Sequence, residues 1–208
     1  MKIKEQFPSV TAIIFDLGNV IINLDMPATD RAFSKLLGSK YETVMMQLNE
    51  KNIFQRYEKG EISSTLFVQS IADASSLSDL QAIKAAWNAM LLDIPTVRFE
   101  ILRQAKKKYR TFCLSNTNEL HIDFIYNQLE QEQKLNNLDE FFEKVYLSHE
   151  MGMRKPDEEI FLKVIEEQQL NPHNTLFIDD TAGHLESARK IGLQTLHMTD
   201  GLSLEQLF

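Results

Sequence analysis

Short apolar segments alternate with amphipathic segments along most of the chain. Five of the short segments are rich in β-branched and other apolar residues, and they span residues 11–16, 111–115, 144–148, 175–179 and 194–198. Continuous apolar runs of this length are typical of strands that are buried on both faces. We therefore predict that these five segments form the strands of a parallel sheet.

Three amphipathic segments follow strands and carry the usual boundary residues of helices. Residues 96–109 begin after a proline and end in basic residues, residues 157–168 begin after Pro156, and residues 182–191 end at Gly192. Proline at a helix start, basic residues in the last turn and glycine after the end are common in helices. The alternation of strands and helices predicts an α/β fold with helices on both faces of the sheet.

The alternation stops between residues 23 and 92. This segment shows helical patterns and no convincing strand, Ser78 and Gln81 have the spacing of a capping box, and Gly38 and Gly60 indicate turns. We predict an α/β core formed by residues 1–22 and 93–208, with an all-helical unit of residues 23–92 inserted after the first strand.

Composition and charge narrow the possible functions. The 208 residues are 43% hydrophobic and 25% charged, as in ordinary globular proteins, and the formal net charge is −8. An acidic chain binds nucleic acids and anionic membrane surfaces poorly, because both carry negative charge.

No segment approaches the roughly 18 apolar residues of a membrane-spanning helix. The single Cys113 fits a reducing compartment. We expect a cytoplasmic protein, and the oligomeric state stays open.

Polar residues follow the apolar runs of three predicted strands. Asp16 ends the first strand, Ser115 the second and Asp179 the fourth, and Asp180 comes directly after Asp179. Lys155 opens the helix after the third strand. Because ligands of parallel sheets bind at the carboxyl ends of the strands, we expect these side chains to converge. Carboxylates suit a hard cation such as Mg²⁺, and an ammonium with a hydroxyl suits a phosphate.

Four motifs, in this order, resemble those of the haloacid dehalogenase-like hydrolase superfamily. They are DLGNV at 16–20, LSNTN at 114–118, RKP at 154–156 and IDD at 178–180. The resemblance covers essentially the whole chain. It implies a Rossmann-like parallel sheet core with a helical cap inserted after the first strand. Within the superfamily, the chain resembles the sugar-phosphate phosphatases typified by bacterial α-D-glucose-1-phosphatase.

The resemblance implies a phosphatase that acts on a small phosphorylated metabolite, such as glucose 1-phosphate, through a covalent intermediate. Asp16 would be the nucleophile that forms an aspartyl-phosphate. Lys155 would offset the negative charges of Asp16 and of the phosphoryl group. The Ser115 hydroxyl and the Asn116 backbone N–H would donate hydrogen bonds to the phosphoryl oxygens.

The same resemblance implies Mg²⁺ as the cofactor. The Asp16 carboxylate, the Gly18 backbone carbonyl and the Asp180 carboxylate would hold the ion. Asp179 would be a direct ligand, a water-mediated ligand or an orienting group.

Gly18 departs from the pattern of most phosphatases of the superfamily, which carry a second aspartate at this position. That aspartate protonates the leaving alcohol, and general acid–base help is typically worth about 10²–10⁴-fold in rate. We expect lower activity or an acid from elsewhere, with Asp25 as one candidate. His184 stands where relatives often have asparagine, and His121 follows the LSNTN loop; the roles of both stay open.

Two alternative functions remain open on the sequence. A 2-haloacid dehalogenase uses the same aspartate against carbon and needs no metal. A non-catalytic binding protein for phosphate or a metabolite would explain the missing acid at Gly18. Strand-terminal residues such as Asp16 and Ser115 can also serve only to cap turns.

Overall fold

The computed structural model describes residues 2–199 and 202–208. Within these residues, five strands form one sheet in the order β3-β2-β1-β4-β5, with every neighbouring pair parallel. The strands are β1 (Ala12–Phe15), β2 (Arg110–Ser115), β3 (Lys144–Leu147), β4 (Thr175–Asp179) and β5 (Gln194–His197). The predicted parallel α/β sheet is confirmed, and each strand end lies within one residue of its predicted position.

Helices cover the sheet and form the segment between β1 and β2. The α-helices of the described residues are α1 (Ile3–Gln6), α2 (Met26–Leu37), α3 (Tyr41–Glu50), α4 (Ile53–Glu58), α5 (Ser64–Ser75), α6 (Leu80–Asn88), α7 (Thr96–Lys106), α8 (Glu119–Gln133), α9 (Ser148–Met151), α10 (Glu158–Glu167), α11 (Ala182–Lys190) and α12 (Leu204–Leu207). Helices α7, α10 and α11 correspond to the three predicted amphipathic segments. None of the described helices is long and apolar enough to cross a membrane.

Both faces of the central strand β1 are buried, which explains its unbroken apolar run. Ile13 and Phe15 belong to a hydrophobic cluster that includes residues of α7 and α8. Ala12 and Ile14 point to the other face, where the cluster includes residues of α10 and α11. Since successive side chains of a strand alternate between faces, a strand with two covered faces needs apolar residues at every position.

Helices α2 to α6 form an inserted segment with its own hydrophobic cluster. Phe33, Leu48, Phe67 and Trp87 are buried in it, and Leu120 of α8 packs against them from the sheet side. Residues 26–88 are helical with short connections and contain no strand, as the pattern predicts. The division of the chain into a core and a cap at residues 23 and 92 stays a prediction.

The predicted capping box at the start of α6 is wrong. Asp79, rather than Ser78, is the N-cap residue, and its carboxylate accepts hydrogen bonds from the backbone N–H groups of Gln81 and Ala82, both at 3.0 Å. A carboxylate at the N-cap satisfies two unpaired N–H groups of the first turn and also complements the positive end of the helix dipole.

Two antiparallel linkers join the inserted helices to the sheet. The Asn23 N–H donates to the Asp93 carbonyl at 2.9 Å, and the Leu92 N–H donates to the Asn23 carbonyl at 3.1 Å. Leu24 and Leu91 form an isolated antiparallel bridge between these bonds and the helices. This pairing places the inserted helices over the carboxyl ends of the strands.

Candidate active site

The carboxyl ends of the central strands bring together residues that are far apart in the sequence. Asp16 directly follows β1, Ser115 is the last residue of β2, and Asp179 is the last residue of β4. Because β1 lies between β2 and β4 and all three strands are parallel, these residues meet at one edge of the sheet. The convergence that the motifs predict is therefore a direct consequence of the strand order.

Lys155 lies buried at the centre of this site. Its Nζ donates hydrogen bonds to Asp16 Oδ1 at 2.8 Å, to Asp179 Oδ2 at 2.7 Å and to the Leu114 carbonyl at 3.0 Å, and its exposed fraction is 0%. Burial acts to lower the pKa of the ammonium, but the two carboxylates outweigh it and hold the pKa above its usual value. Lys155 is thus a permanent cation with all three donors satisfied.

The two carboxylates that share Lys155 have opposite pKa shifts. Burial raises the pKa of Asp16 to about 6, and the nearby charge of Asp179 adds to this effect, whereas Lys155 opposes it. Burial also acts to raise the pKa of Asp179, but Lys155 and a hydrogen bond from His184 outweigh it and lower that pKa. Asp179 is therefore the fixed anion that anchors Lys155.

His184, which lines the cavity, donates to Asp179. Its Nδ1 lies 3.0 Å from Asp179 Oδ1 and 3.1 Å from Oδ2, and the Thr181 N–H donates to Oδ1 at 2.7 Å. Because an ionised carboxylate only accepts hydrogen bonds, His184 carries a proton on Nδ1. Asp179 thus uses both oxygens within the protein.

A cluster of three carboxylates could hold a metal ion. Asp16, Asp179 and Asp180 each offer one oxygen, and these oxygens lie within 4.8 Å of one another. Asn19 Nδ2 donates to Asp180 Oδ2 at 2.9 Å and orients that side chain, a role that its place in the first motif did not reveal. Oxygen ligands without nitrogen or sulfur suit a hard cation such as Mg²⁺. The donor set therefore fits the predicted cofactor.

The loop after β2 holds the backbone of Lys155. Asn116 Nδ2 donates to the Lys155 carbonyl and the Lys155 N–H donates to Asn116 Oδ1, both at 2.8 Å. This pair of bonds is a positioning role for the Asn116 side chain that the sequence did not predict. Ser115 is buried next to it, at 3% exposure. The predicted phosphate-binding roles of Ser115 and Asn116 stay predictions.

A cavity of about 570 Å³ lies between the strand ends and the inserted helices. Asp16, Lys155 and Asp180 lie at its floor. One wall is apolar and comes largely from the inserted segment and its linkers, with Leu24, Met26, Trp87, Met90 and Leu91. Such a mixed cavity is typical of a site for a small molecule with one polar end.

One part of the wall is a closed hydrogen-bond network of neutral groups. Asn118 Oδ1 accepts from Trp87 Nε1 at 3.2 Å, and Asn118 Nδ2 lies 3.2 Å from His121 Nδ1. His121 Nε2 lies 3.3 Å from the Trp87 carbonyl, and the two rings stack. Burial lowers the pKa of His121 to about 4, so the imidazole is neutral at pH 7. His121 therefore joins the sheet side to α6.

A second part of the wall is an ion pair across the same junction. Arg154 Nε donates to Glu58 Oε2 at 2.9 Å, and both side chains are 26% exposed. Burial raises the pKa of Glu58, with Arg154 and His184 acting in the opposite direction. No local pattern connects two residues that are 96 positions apart in the chain, so sequence reasoning missed this pair.

Asp25, the candidate replacement for the acid absent at Gly18, lies outside the cavity lining. It precedes α2, and its carboxylate forms an ion pair with Arg31. The structure thus places the candidate at the start of the inserted segment, paired with Arg31.

Comparisons with known proteins show the family to which the chain belongs. A family model described as haloacid dehalogenase-like hydrolase matches residues 10–192. A D-ribitol-5-phosphate phosphatase from Bacteroides thetaiotaomicron is 28% identical over 196 residues, which are 93% of this chain and 94% of that protein.

Solved structures extend the likeness to the fold. A HAD family enzyme from Bacteroides thetaiotaomicron, in complex with magnesium and inorganic phosphate, superposes with a TM-score of 0.83 at 33% identity and covers 96% of this chain and 99% of that chain. A HAD-like family hydrolase from Porphyromonas gingivalis gives 0.81 at 31% identity, with 93% of each chain covered. From its motifs, its fold and these matches, the chain belongs to the haloacid dehalogenase-like hydrolase family.

Proposed function

We propose that the protein is a Mg²⁺-dependent phosphatase that hydrolyses a small phosphorylated metabolite through an aspartyl-phosphate on Asp16. The observation that carries this proposal is the buried triad in which Lys155 bridges Asp16 and Asp179 at the floor of a cavity. The relatives named as a phosphatase and crystallised with magnesium and phosphate support it.

The cation would be held by the Asp16 carboxylate, the Gly18 carbonyl and Asp180. When bound, Mg²⁺ supplies positive charge that neutralises the phosphoryl oxygens and the nucleophile. We assign Asp179 the orienting role, because its oxygens already accept hydrogen bonds from Lys155, Thr181 and His184.

Asp16 would attack the phosphorus atom of the substrate. A bond forms between an Asp16 oxygen and phosphorus, the ester bond to the alcohol breaks, and the departing oxygen takes up a proton from solvent water. Water then attacks the aspartyl-phosphate, which releases inorganic phosphate and restores the carboxylate. Lys155 holds Asp16 in place throughout, and the Ser115 hydroxyl with the Asn116 N–H would donate to the phosphoryl oxygens.

The substrate class that best fits the cavity is a sugar or polyol phosphate. The volume of about 570 Å³ accommodates a small metabolite, and one relative is named for D-ribitol 5-phosphate. Glucose 1-phosphate stays a prediction for this chain. The inserted helices would serve as a cap over the substrate, because α4 and α6 contribute Glu58 and Trp87 to the cavity.

A phosphate-release assay tests the proposal. With Mg²⁺, we expect turnover of p-nitrophenyl phosphate and of members of a sugar and polyol phosphate panel, loss of turnover in EDTA, and recovery with excess Mg²⁺. Asp16→Asn removes the nucleophile and should lower kcat by about 10⁴-fold or more. Asp73→Asn, an exposed carboxylate on α5, is the matched control and should retain activity.

Four outcomes would contradict the phosphatase proposal. Full activity of Asp16→Asn would exclude the nucleophile, and full activity in EDTA would exclude the metal. Halide release from 2-chloropropionate without metal would indicate a dehalogenase. Binding of Mg²⁺ and phosphate without turnover across the panel would indicate a binding protein.

A further inference from the structure

The ion pair between Glu58 and Arg154 lies on the cavity wall, where the organic part of a bound phosphate ester would reach. We propose that this pair selects phosphate monoesters whose organic part is uncharged and carries hydroxyl groups. Because Arg154 is already paired with Glu58, it is not available to bind a second anionic group of the substrate. The inference rests on the proposed phosphatase function and narrows its substrate class.

The charges around the cavity support this selection. The described residues that line it include four carboxylates and two permanent cations: Asp16, Asp30, Glu58, Asp180, Arg154 and Lys155. Lys155 is occupied by Asp16 and Asp179, and Arg154 is paired with Glu58. A carboxylate or second phosphate on the substrate would therefore meet an excess of like charge without an unpaired cation, which is unfavourable for binding.

The same pair offers hydrogen-bonding groups that suit hydroxyls. The single hydrogen bond of the pair joins Arg154 Nε to Glu58 Oε2. Over the described part of the chain, no hydrogen bond involves the other oxygen of Glu58, Oε1, or the two terminal nitrogens of Arg154. A hydroxyl both donates and accepts. It can therefore donate to Glu58 and accept from Arg154 without disturbing the ion pair.

The turn that carries Glu58 is held against the sheet side before any substrate binds. The buried Ser148 hydroxyl donates to the Glu58 carbonyl at 2.7 Å, and the Leu120 N–H donates to the Tyr57 hydroxyl at 3.1 Å. Gly60 packs so closely that an added Cβ would lie 2.0 Å from the His149 carbonyl oxygen. A fixed carboxylate discriminates between substrates better than a mobile one, since less ordering accompanies binding.

Removal of the charge on Glu58 should reverse the selection. Glu58→Gln has nearly the same shape but leaves Arg154 as a cation without an anionic partner. Arg154 could then bind a carboxylate of the substrate through its planar guanidinium group. The variant should therefore gain activity on carboxylated phosphates while it loses activity on polyol phosphates.

The experiment compares two pairs of substrates that differ only by a carboxylate in place of a hydroxymethyl group. They are glycerol 3-phosphate with 3-phosphoglycerate, and sorbitol 6-phosphate with 6-phosphogluconate. We expect the wild type to prefer the polyol member of each pair in kcat/KM. In Glu58→Gln, the ratio of kcat/KM for the carboxylated over the polyol member should rise about tenfold to a hundredfold in at least one pair.

Two further variants show whether Arg154 is responsible. Glu58→Gln combined with Arg154→Gln should lose the gained activity on the carboxylated substrate. Glu61→Gln is the matched control, because Glu61 lies three residues further along the same turn and pairs with Arg56 outside the cavity lining. It should leave the ratio unchanged. Hydrolysis of p-nitrophenyl phosphate, which has neither hydroxyls nor a second anion, should fall less in Glu58→Gln than hydrolysis of the polyol phosphates.

The outcomes separate the inference from the function on which it rests. Turnover by the wild type with an unchanged ratio in Glu58→Gln would overturn the inference and leave the phosphatase intact. A fall of p-nitrophenyl phosphate activity equal to that of the polyols would also overturn it, because Glu58 would then act in folding or chemistry. Absence of any phosphatase activity in the wild type would overturn the proposed function itself.

Discussion

The floor of the cavity and the wall formed with the inserted helices use different kinds of polar interaction. On the floor, Lys155 has no exposed surface and donates to two carboxylates and a carbonyl. On the wall, the side chains of Glu58 and Arg154 are each 26% exposed, and one hydrogen bond joins them. Beside that pair, hydrogen bonds between neutral side chains join Asn118 to Trp87 and to His121.

This difference separates a buried set of charges that depend on one another from a partly exposed pair that solvent screens. A buried ion pair contributes little net stability, but loss of one partner is costly because the other charge is left without compensation. A partly exposed pair has little to lose when a partner changes. We therefore expect substitutions of the charges on the floor to affect folding and activity together, and substitutions of the ion pair on the wall to affect mainly specificity.

The largest expected effect on stability comes from Lys155→Met. Methionine fills a similar volume but leaves Asp16 and Asp179 as two buried carboxylates without a cation. We expect the free energy of unfolding to fall by about 3–5 kcal/mol, measured by urea denaturation at pH 7.

Two variants serve as controls for Lys155→Met. Lys190→Met, at an exposed ion pair with Glu158 on the helix surface, should leave the urea midpoint nearly unchanged. Addition of Asp179→Asn to Lys155→Met should recover part of the loss. A Lys155→Met protein as stable as the wild type would show that the floor does not depend on its central charge.

An intermediate effect is expected from Gly60→Ala, which acts on the wall through the backbone. Gly60 has a φ of +66° and lies against the His149 carbonyl, so an added methyl group must displace backbone atoms. We expect a loss of about 1–3 kcal/mol in the free energy of unfolding. Calorimetry or urea denaturation would measure it.

Gly152→Ala separates the strain of the backbone conformation from the steric clash. Gly152 has a φ of +68°, but no atom lies within 4 Å of its added Cβ. Its substitution should therefore cost less than that of Gly60. Equal losses in the two variants would show that the close approach to His149 does not hold the wall in place.

The smallest expected effect comes from Trp87→Phe. Phenylalanine retains an aromatic ring against His121 but removes the hydrogen bond from Nε1 to Asn118 Oδ1, which also accepts from the His121 N–H. We expect a loss of about 1 kcal/mol in the free energy of unfolding, measured by urea denaturation. A loss as large as that of Lys155→Met would remove the distinction between floor and wall.

Much of the fold could be predicted because its signals are local. All five apolar runs become strands. The central strands β1 and β4 are buried at every position, whereas the edge strands β3 and β5 are partly exposed, so the prediction of burial on both faces is wrong for those two. The prolines, basic residues and glycine near α7, α10 and α11 lie close to the ends of these helices. The family and its hydrolase class are confirmed by the match over residues 10–192. The capping box at Ser78 failed because the neighbouring Asp79 is the cap.

The catalytic roles assigned to Asp16, Lys155, Ser115, Asn116, Gly18, Asp179 and Asp180 stay predictions. The structure brings their side chains or backbones to the carboxyl ends of the strands. The contacts between residues of the wall could not be predicted from the sequence. Its partners come from separate elements, and neither Glu58 nor Trp87 carries a motif that indicates the residue it contacts.

The sequence by itself determined the order of strands and helices, the motifs at the strand ends and the chemical types available for a phosphate and a cation. Only the tertiary structure decided how these groups are paired. It places Lys155 between two carboxylates. It also engages both oxygens of Asp179 in hydrogen bonds within the protein. It also positions Glu58 beside Arg154 on the cavity wall. The physical reason is that hydrophobic periodicity is a local property, whereas ion pairing and burial depend on the distances between elements that the sheet order brings together.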